Sequence, residues 1–590
     1  MASMCFFFGA VPRCNRSLDR RFDICKPKYL SQLPLMAVST DQLAKPEQVI
    51  RRSANYQPSL WSFDYIQSLS SKYIGEDYAS RANSLKEAVK TMIQNAGKPS
   101  GTLELVDDLQ RLGIAYNFVD EISDAMEMIY RDYFQTEDKW NKMDINLKAI
   151  GFRLLRQHGY HVPQEIFGNF IEKIQDLKPH SHEDMKGILN LYEASYYSFE
   201  NEDIMDNARD ITTKYLNENL ENLDENILPL VTHALEVPLN WRIRRVEAQW
   251  FIKAYENRGH ANPTLIELAK LDFDMVQAIY LEDLKHASRW WKNTKWEKKF
   301  NFARDRLVES FMWTIGIIDE PRLSFGRRSL AKVIAMITTI DDVYDVYGTL
   351  DELEQFTDAT RRWDLNAIKQ LPEYMQTCFF GFYNSINDIT YDTLTDTGLL
   401  ILEYLKEAWL GICKAYLVEA RWYHDGYTPT FKEYTDNGIT SISGPLVLMH
   451  VMFFTSISSN EEILQCLKRS ESIIRYSSII FRLADDLGTS ADEMARGDIA
   501  KSIQCYMHET GATEEEARTY IKSLMMETWK ILNKERPRAG DSQFLKEFYD
   551  GATNLVKTSQ FFYNDGDGHG HPDVTKSRVQ SLLLNPIQGM

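Results

Sequence analysis

Glycine and proline are both scarce in this chain, at 28 and 18 of 590 residues, against average usage of roughly 7% and 5%. With so few turn breakers the chain favours long helices. No run of 18 or more apolar residues occurs, so no segment reads as a membrane-spanning helix. Seven cysteines, none in a CxxC pair, are too few for a disulfide framework and fit a reducing compartment. Positive charge is also short: 67 Lys and Arg against 85 Asp and Glu leave a net charge of −18. That balance argues against nucleic acid as a partner. It does not exclude a small anionic ligand, because metal ions and a few placed arginines can invert a local field. Strand-like alternation, short-period repeats and a DxDD motif are absent as well. An all-α fold follows, and the length implies more than one domain.

Three regions separate along the sequence. Residues 1–50 differ from the rest: the first forty carry six basic residues (Arg13 to Lys28) and two acids, Asp19 and Asp23, a net charge of +4. With its serines and short apolar start this segment reads as an organelle transit peptide and is set aside from the fold. Residues 51–262 read as a first helical domain. Ser84-Leu85-Lys86-Glu87 suggests a capping box, and Leu103, Val106, Leu109 and Leu112 recur at helical spacing. The run Asn257 to Pro263 is rich in Asn, Gly and Pro and marks a boundary. Residues 263–590 then form a second helical domain, a bundle around a cavity, whose first helix buries Leu268, Leu271, Met275 and Ile279.

Two acidic motifs in the second domain carry the chemistry. Asp341-Asp342-Val343-Tyr344-Asp345 puts Asp341 and Asp345 on one helical face, a turn apart. Asp485, 144 positions on, begins a second stripe with Thr489 and Glu493, spaced four and four. Two such stripes facing each other make a ring of hard oxygen ligands suited to Mg2+. Each follows an apolar run, Val333–Ile340 and Ile479–Ala484, so the carboxylates line a cavity rather than a solvated face. A solvated stripe would carry interleaved Lys or Arg, and neither motif does.

The pair resembles the aspartate-rich and second metal motifs of class I terpene synthases. Further motifs extend the likeness to residues 51–590. Arg51-Arg52, followed by eight residues and Trp61, resembles the tandem-arginine signature of plant monoterpene synthases. Phe152–Gly159, Arg304-Asp305-Arg306, Tyr347–Glu352 and Gly566-Asp567-Gly568-His569-Gly570 are similar to other family motifs. The resemblance implies two α-barrel domains with the site in the C-terminal one, and a plastid stromal enzyme, monomeric or homodimeric. It also implies geranyl diphosphate as substrate and three Mg2+ ions, with Mn2+ able to substitute.

Under that resemblance, Asp341, Asp345, Asp485, Thr489 and Glu493 are the expected metal ligands. Asp342 points about 100° away from Asp341 and takes a supporting place. Arg304, Arg482 and Lys501 are expected to hold the departing diphosphate, arginine being suited to bidentate contact. Trp313, Phe481 and Tyr563 are candidates for an aromatic wall that stabilises a carbocation, with Ile334 as an apolar neighbour unable to position water. Arg306 reads as structural. Arg51, Arg52 and Trp61 are expected to cross the site as a lid that excludes water, which favours a cyclic monoterpene formed through the α-terpinyl cation. The alternatives are an acyclic monoterpene synthase making myrcene, ocimene or linalool, and a sesquiterpene synthase using farnesyl diphosphate. A chain-elongating prenyltransferase would show two DDxxD motifs, whereas the second motif here is DDxxT with Glu493. Asp319 and Asp565 depart from the family pattern, where an aromatic residue and a histidine are usual.

Overall fold

The computed structural model describes residues 51–587 apart from 136, 141, 169, 171–181 and 456–459. The expected transit segment, residues 1–50, lies outside the described residues. Among those described there is no strand; helices of up to 32 residues follow one another, joined by short turns. Residues from Arg51 onward form one compact unit.

Local sequence signals account for many of the helix ends. Thr349, Thr430 and Thr513 each accept from the backbone three residues on, and Glu352, Glu433 and Glu516 return the bond, which satisfies otherwise orphaned N–H groups. The capping box expected at Ser84 does not form. Ser84 lies inside the helix Glu76–Asn95, because Ala82, Leu85, Val89 and Ile93 make one continuous buried stripe that carries the helix past it. The expected boundary coincides with a helix start: Asn262 caps Pro263–Thr294 through a bond from the Thr264 N–H, with proline at the first helical position. Leu268 and Leu271 are buried there, but Met275 is half-buried and Ile279 exposed; the buried face runs instead through Val276 and Tyr280.

The second half positions the site. The helix Leu307–Ile317, buried all round, packs between Ser324–Asp342 and Gln543–Tyr563. The helix Glu471–Ala495 packs against Gln543–Tyr563 and Glu514–Lys534. Its contact with Gln543–Tyr563 depends on Gly488, where a Cβ would come within 2.7 Å of the Tyr563 carbonyl oxygen. That close approach brings Tyr563 beside the second acidic motif. Phe431–Phe454 is apolar enough to cross a membrane by length and composition. It is broken by Ser443 at φ 68° and is 72% buried within the protein, so it serves as core. Cys378, Cys413, Cys466 and Cys505 are free and buried.

Candidate functional site

One cavity of about 120 Å3 gathers Arg304, Trp313, Ile334, Asp341, Asp345, Phe481, Arg482, Asp485, Thr489, Glu493, Lys501 and Tyr563. Residues as distant in sequence as Arg304 and Tyr563 meet there, and Ser324–Asp342 and Glu471–Ala495 both bring their C-terminal ends to its mouth. The first helix continues past Asp342 as a single π-turn, Val343–Tyr347, which carries Asp345.

The charges at the mouth are paired across this set. The Arg304 side chain donates to Asp341 at 2.6 Å and to Asp342 at 2.9 Å, and its backbone N–H donates to Asp342 at 2.7 Å. Asp342 is fully buried and serves to hold Arg304 in place. Arg482 pairs with Asp485 and, at 2.6 Å, with Asp486. Asp486 is buried and committed to structure, accepting from the Tyr434 hydroxyl at 2.8 Å and the Ser502 N–H at 3.1 Å. Lys501 lies 3.2 Å from Glu493, on the far side of the turn where Gly497 takes φ +79°. Gly438 leaves room for the Arg482 stem, which lies 3.1 Å from where a Cβ would stand.

Burial and crowding disturb the carboxyl groups. Desolvation, with Asp341 nearby, pushes Asp345 well above the usual carboxylate range. Asp485 is pushed up to about 7 by burial, with Glu493 and Asp486 adding to it and Arg482 opposing. Glu493 is buried too, yet Lys501 and Arg482 hold it below its ordinary value. Thr489 is 3% exposed, and its Oγ1 has no hydrogen-bond partner. A buried hydroxyl aimed at a cavity rim without a partner is a costly arrangement, and a cation there would answer it. Among the described residues, no three carboxylate or imidazole groups close around one point. The donor set therefore fits an ion that keeps waters and takes ligand oxygens, as Mg2+ does.

The deeper wall is aromatic. Trp313 stacks on Phe562, with ring centroids 4.6 Å apart, and lies 5.2 Å from Phe481 and 6.0 Å from Tyr563. Among the lining residues that sequence reasoning missed are the polar Thr338, Tyr416, Glu419 and His569. His569 stands inside a motif quoted above for resemblance alone. Glu419 follows the buried stretch Ala415–Leu417, a lone acid on an apolar run that could have drawn notice. The His569 ring is 3.0 Å from the Thr338 hydroxyl; its Nδ1 has no partner, and burial drives it far below its ordinary pKa.

The lid residues lie at the rim and not in the cavity. Arg51 grips Glu352 through two bonds of 2.8 Å and donates to the Tyr347 carbonyl at 2.9 Å. Arg52 donates to the Asp345 carbonyl at 2.9 Å and to Asp498 at 2.9 Å. Tyr56, also missed from sequence, lays its ring 5.1 Å from the Arg304 guanidinium. Arg306 is buried and donates to the Gln57 carbonyl at 2.8 Å. Asp319 pairs with Arg244 at 2.6 Å and Asp565 with Arg578 at 2.6 Å; neither lines the cavity. Asp319 borders a larger space of about 350 Å3 where the two halves of the chain meet. That space holds none of the predicted site residues.

The terpene synthase N-terminal domain model matches residues 60–235, and the terpene synthase family metal binding domain model matches 292–531. An R-linalool synthase of Artemisia annua, named as chloroplastic, is 63% identical over 92% of this chain and 95% of that one. The chain belongs to the terpene synthase family. Its relatives are plant monoterpene synthases, and its chemistry class is that of a carbon–oxygen lyase acting on a prenyl diphosphate. A crystal structure of limonene synthase with 2-fluorolinalyl diphosphate superposes on this terpene synthase with a TM-score of 0.87, at 41% identity, covering 91% of this chain and all of that one. Isoprene synthase from grey poplar, in complex with three Mg2+ ions and dimethylallyl-S-thiolodiphosphate, gives 0.79 at 42% identity, covering 90% and 99%. The all-α, class I terpenoid synthase fold is thereby established for this chain.

Proposed function

We propose that this terpene synthase ionises geranyl diphosphate in the plastid stroma, with residues 263–590 as its catalytic domain, and releases an acyclic tertiary alcohol of the linalool type. The observation that carries the reaction class is the pairing at the mouth: every expected diphosphate binder is matched to an expected metal ligand. Asp341 and Asp345 on one side, and Asp485, Thr489 and Glu493 on the other, would hold Mg2+. When bound, Mg2+ would neutralise the charge that builds on the diphosphate as the C–O bond breaks. Arg304, Arg482 and Lys501 would turn from their carboxylates to the diphosphate oxygens. Trp313, Phe481 and Tyr563 would face the allyl cation, each ring contributing about 0.5–2 kcal/mol. The strap from Arg51 to Trp61 would keep bulk water out while the cation lives.

Alcohol formation adds one water oxygen to C3 of the cation and returns one proton to solvent or diphosphate. The expectation of a cyclic product rested on the intact strap and on an apolar wall at Ile334. Ile334 does line the cavity, but Thr338 lies one turn further on and bonds His569, so the wall offers polar groups to hold a water. The 63% identity to a linalool synthase points the same way. A cyclic product is the second reading, favoured by the strap and by the likeness to limonene synthase. Incubation with geranyl diphosphate and Mg2+, followed by chiral gas chromatography with mass spectrometry, decides between them. Mainly linalool supports the proposal; mainly limonene or terpineol supports the second reading. Turnover of farnesyl diphosphate alone overturns both.

A further inference from the structure

The strap meets the catalytic half again at Gln57 to Trp61, where it runs along the first turn of Leu307–Ile317. Arg306 holds one end of this stretch through the Gln57 carbonyl. Glu309, three residues on, is completely buried, and neither of its carboxylate oxygens has a hydrogen-bond partner. Arg306 gives it a nearby positive charge but no hydrogen bond, its Nε, Nη1 and Nη2 all donating to the carbonyls of Asp305, Gln57 and Gly570. The Trp61 indole N–H is likewise buried without a partner. It lies close enough to the Glu309 carboxyl to favour the charged form, as does the backbone N–H of Glu309 itself. A lone donor and a lone acceptor thus face each other outside hydrogen-bond geometry, both withheld from water, a state that costs each its full desolvation. Burial pushes the Glu309 carboxyl up to about 7, which is the mark of an acid wanting a donor.

We propose that Glu309 is the positioning residue that anchors the strap, its carboxylate taking the Trp61 indole N–H as the segment seats over the cavity. Arg306 and Glu309 then hold Gln57 and Trp61 as two pegs, one on a carbonyl and one on an N–H. Glu309 also stands one helical turn before Trp313, so seating of the strap is transmitted to the ring that walls the cavity. The inference rests on the prenyl diphosphate reading for its activity measurement only.

The test uses the full chain in four forms: Glu309→Gln, Glu309→Leu, Trp61→Phe and the Glu309→Leu/Trp61→Phe pair. Two quantities are measured, turnover of geranyl diphosphate and the rate of tryptic cleavage after Arg51 and Arg52. Glu309→Leu and Trp61→Phe should each lower turnover by about tenfold, the cost of a lost charge-assisted bond, and should speed cleavage. Glu309→Gln keeps an acceptor oxygen and should stay within about threefold of the parent on both measures. The pair should be no worse than the more damaging single change, because both remove one interaction. Multiplicative losses in the pair, or Glu309→Gln as damaging as Glu309→Leu, would overturn the anchor, as would unchanged cleavage in Trp61→Phe. If Glu309→Leu does not fold, Trp61→Phe and Glu309→Gln still decide. If the parent protein fails on geranyl diphosphate altogether, the substrate reading falls while the cleavage rates still report on the anchor.

Discussion

Replacing Thr489 with valine separates a metal ligand from a packing residue more cleanly than any other change in this site. The two side chains share a shape, so the core around residue 489 stays filled. Thr489 Oγ1 is buried with no partner, and an unsatisfied buried hydroxyl costs about 1–3 kcal/mol. Thr489→Val removes that cost. In metal-free protein the substitution should therefore leave stability unchanged or raise it by about 1 kcal/mol. Activity should move the other way. Loss of a group that merely orients a metal ligand typically costs 10–100-fold, and loss of a ligand should cost at least as much. Two measurements suffice: thermal unfolding without metal, and initial rate against MgCl2 concentration with saturating substrate. Higher stability with a right-shifted, lowered Mg2+ curve supports the assignment, and Thr489→Ser should restore most of the rate. A metal-free protein weakened by more than about 1 kcal/mol would mean that the hydroxyl had a partner in solution. An unshifted Mg2+ curve would remove Thr489 from the ligand set.

Asp341→Ala and Asp345→Ala should each cut turnover by orders of magnitude with the unfolding temperature preserved; near-parental turnover in either would refute its role. Asp486→Ala should instead destabilise the fold by about 3–5 kcal/mol, since it strips the buried Tyr434 hydroxyl and Ser502 N–H of their acceptor; an unchanged melting temperature would refute this. The raised Asp485 pKa of about 7, against about 4 in the unfolded chain, means that the folded site binds the extra proton. Its contribution to metal-free stability is thus present below about pH 4 and is lost as pH rises through about 7. Mg2+ competes with that proton, so stabilisation by Mg2+ with inorganic diphosphate should be larger at pH 8 than at pH 6 by thermal shift. Equal shifts at both values would contradict it.

The fold class and the charged residues at the cavity mouth were legible from residues 300–570 because periodicity and charge both leave marks in sequence. A carboxylate following a buried run, as at Asp341 and Asp485, is unusual enough to read directly. The four-residue spacing of Asp485, Thr489 and Glu493 then put them on one face. What escaped notice depends on tertiary approach. Nothing local distinguishes Glu309 from any acid in a first helical turn until the packing shows it enclosed. Tyr56 reads as an ordinary loop tyrosine until Arg304 is found beneath it. The capping box at Ser84 failed for the opposite reason: the local signal was present, but burial of Ala82 and Leu85 extended the helix through it. Asp319 departs from the family pattern, and the structure gives it a partner in Arg244, away from the cavity.

The pairing of Arg304 with Asp341, Arg482 with Asp485 and Lys501 with Glu493 has a consequence for the order of binding. Without ligand each of the three cations holds a carboxylate, which lets these six charged groups share a small cavity without unfolding it. A metal ion arriving alone must draw a carboxylate from its cation and leave that cation buried without a partner. Diphosphate arriving alone must do the reverse and strand the carboxylates. Stranding one member of a buried pair costs about 3–5 kcal/mol, so either ligand alone binds weakly. Together they exchange partners, with carboxylates going to metal and cations to diphosphate, and neither set is stranded. Binding should therefore be strongly cooperative, and linkage requires that each ligand tighten the other by the same factor. Titration calorimetry with inorganic diphosphate, with and without Mg2+, measures that factor. A coupling of at least about tenfold, or 1.4 kcal/mol, is expected. Independent binding would mean that the ion pairs at the mouth are not broken on loading, and that Arg304, Arg482 and Lys501 hold the metal ligands in place rather than the leaving group.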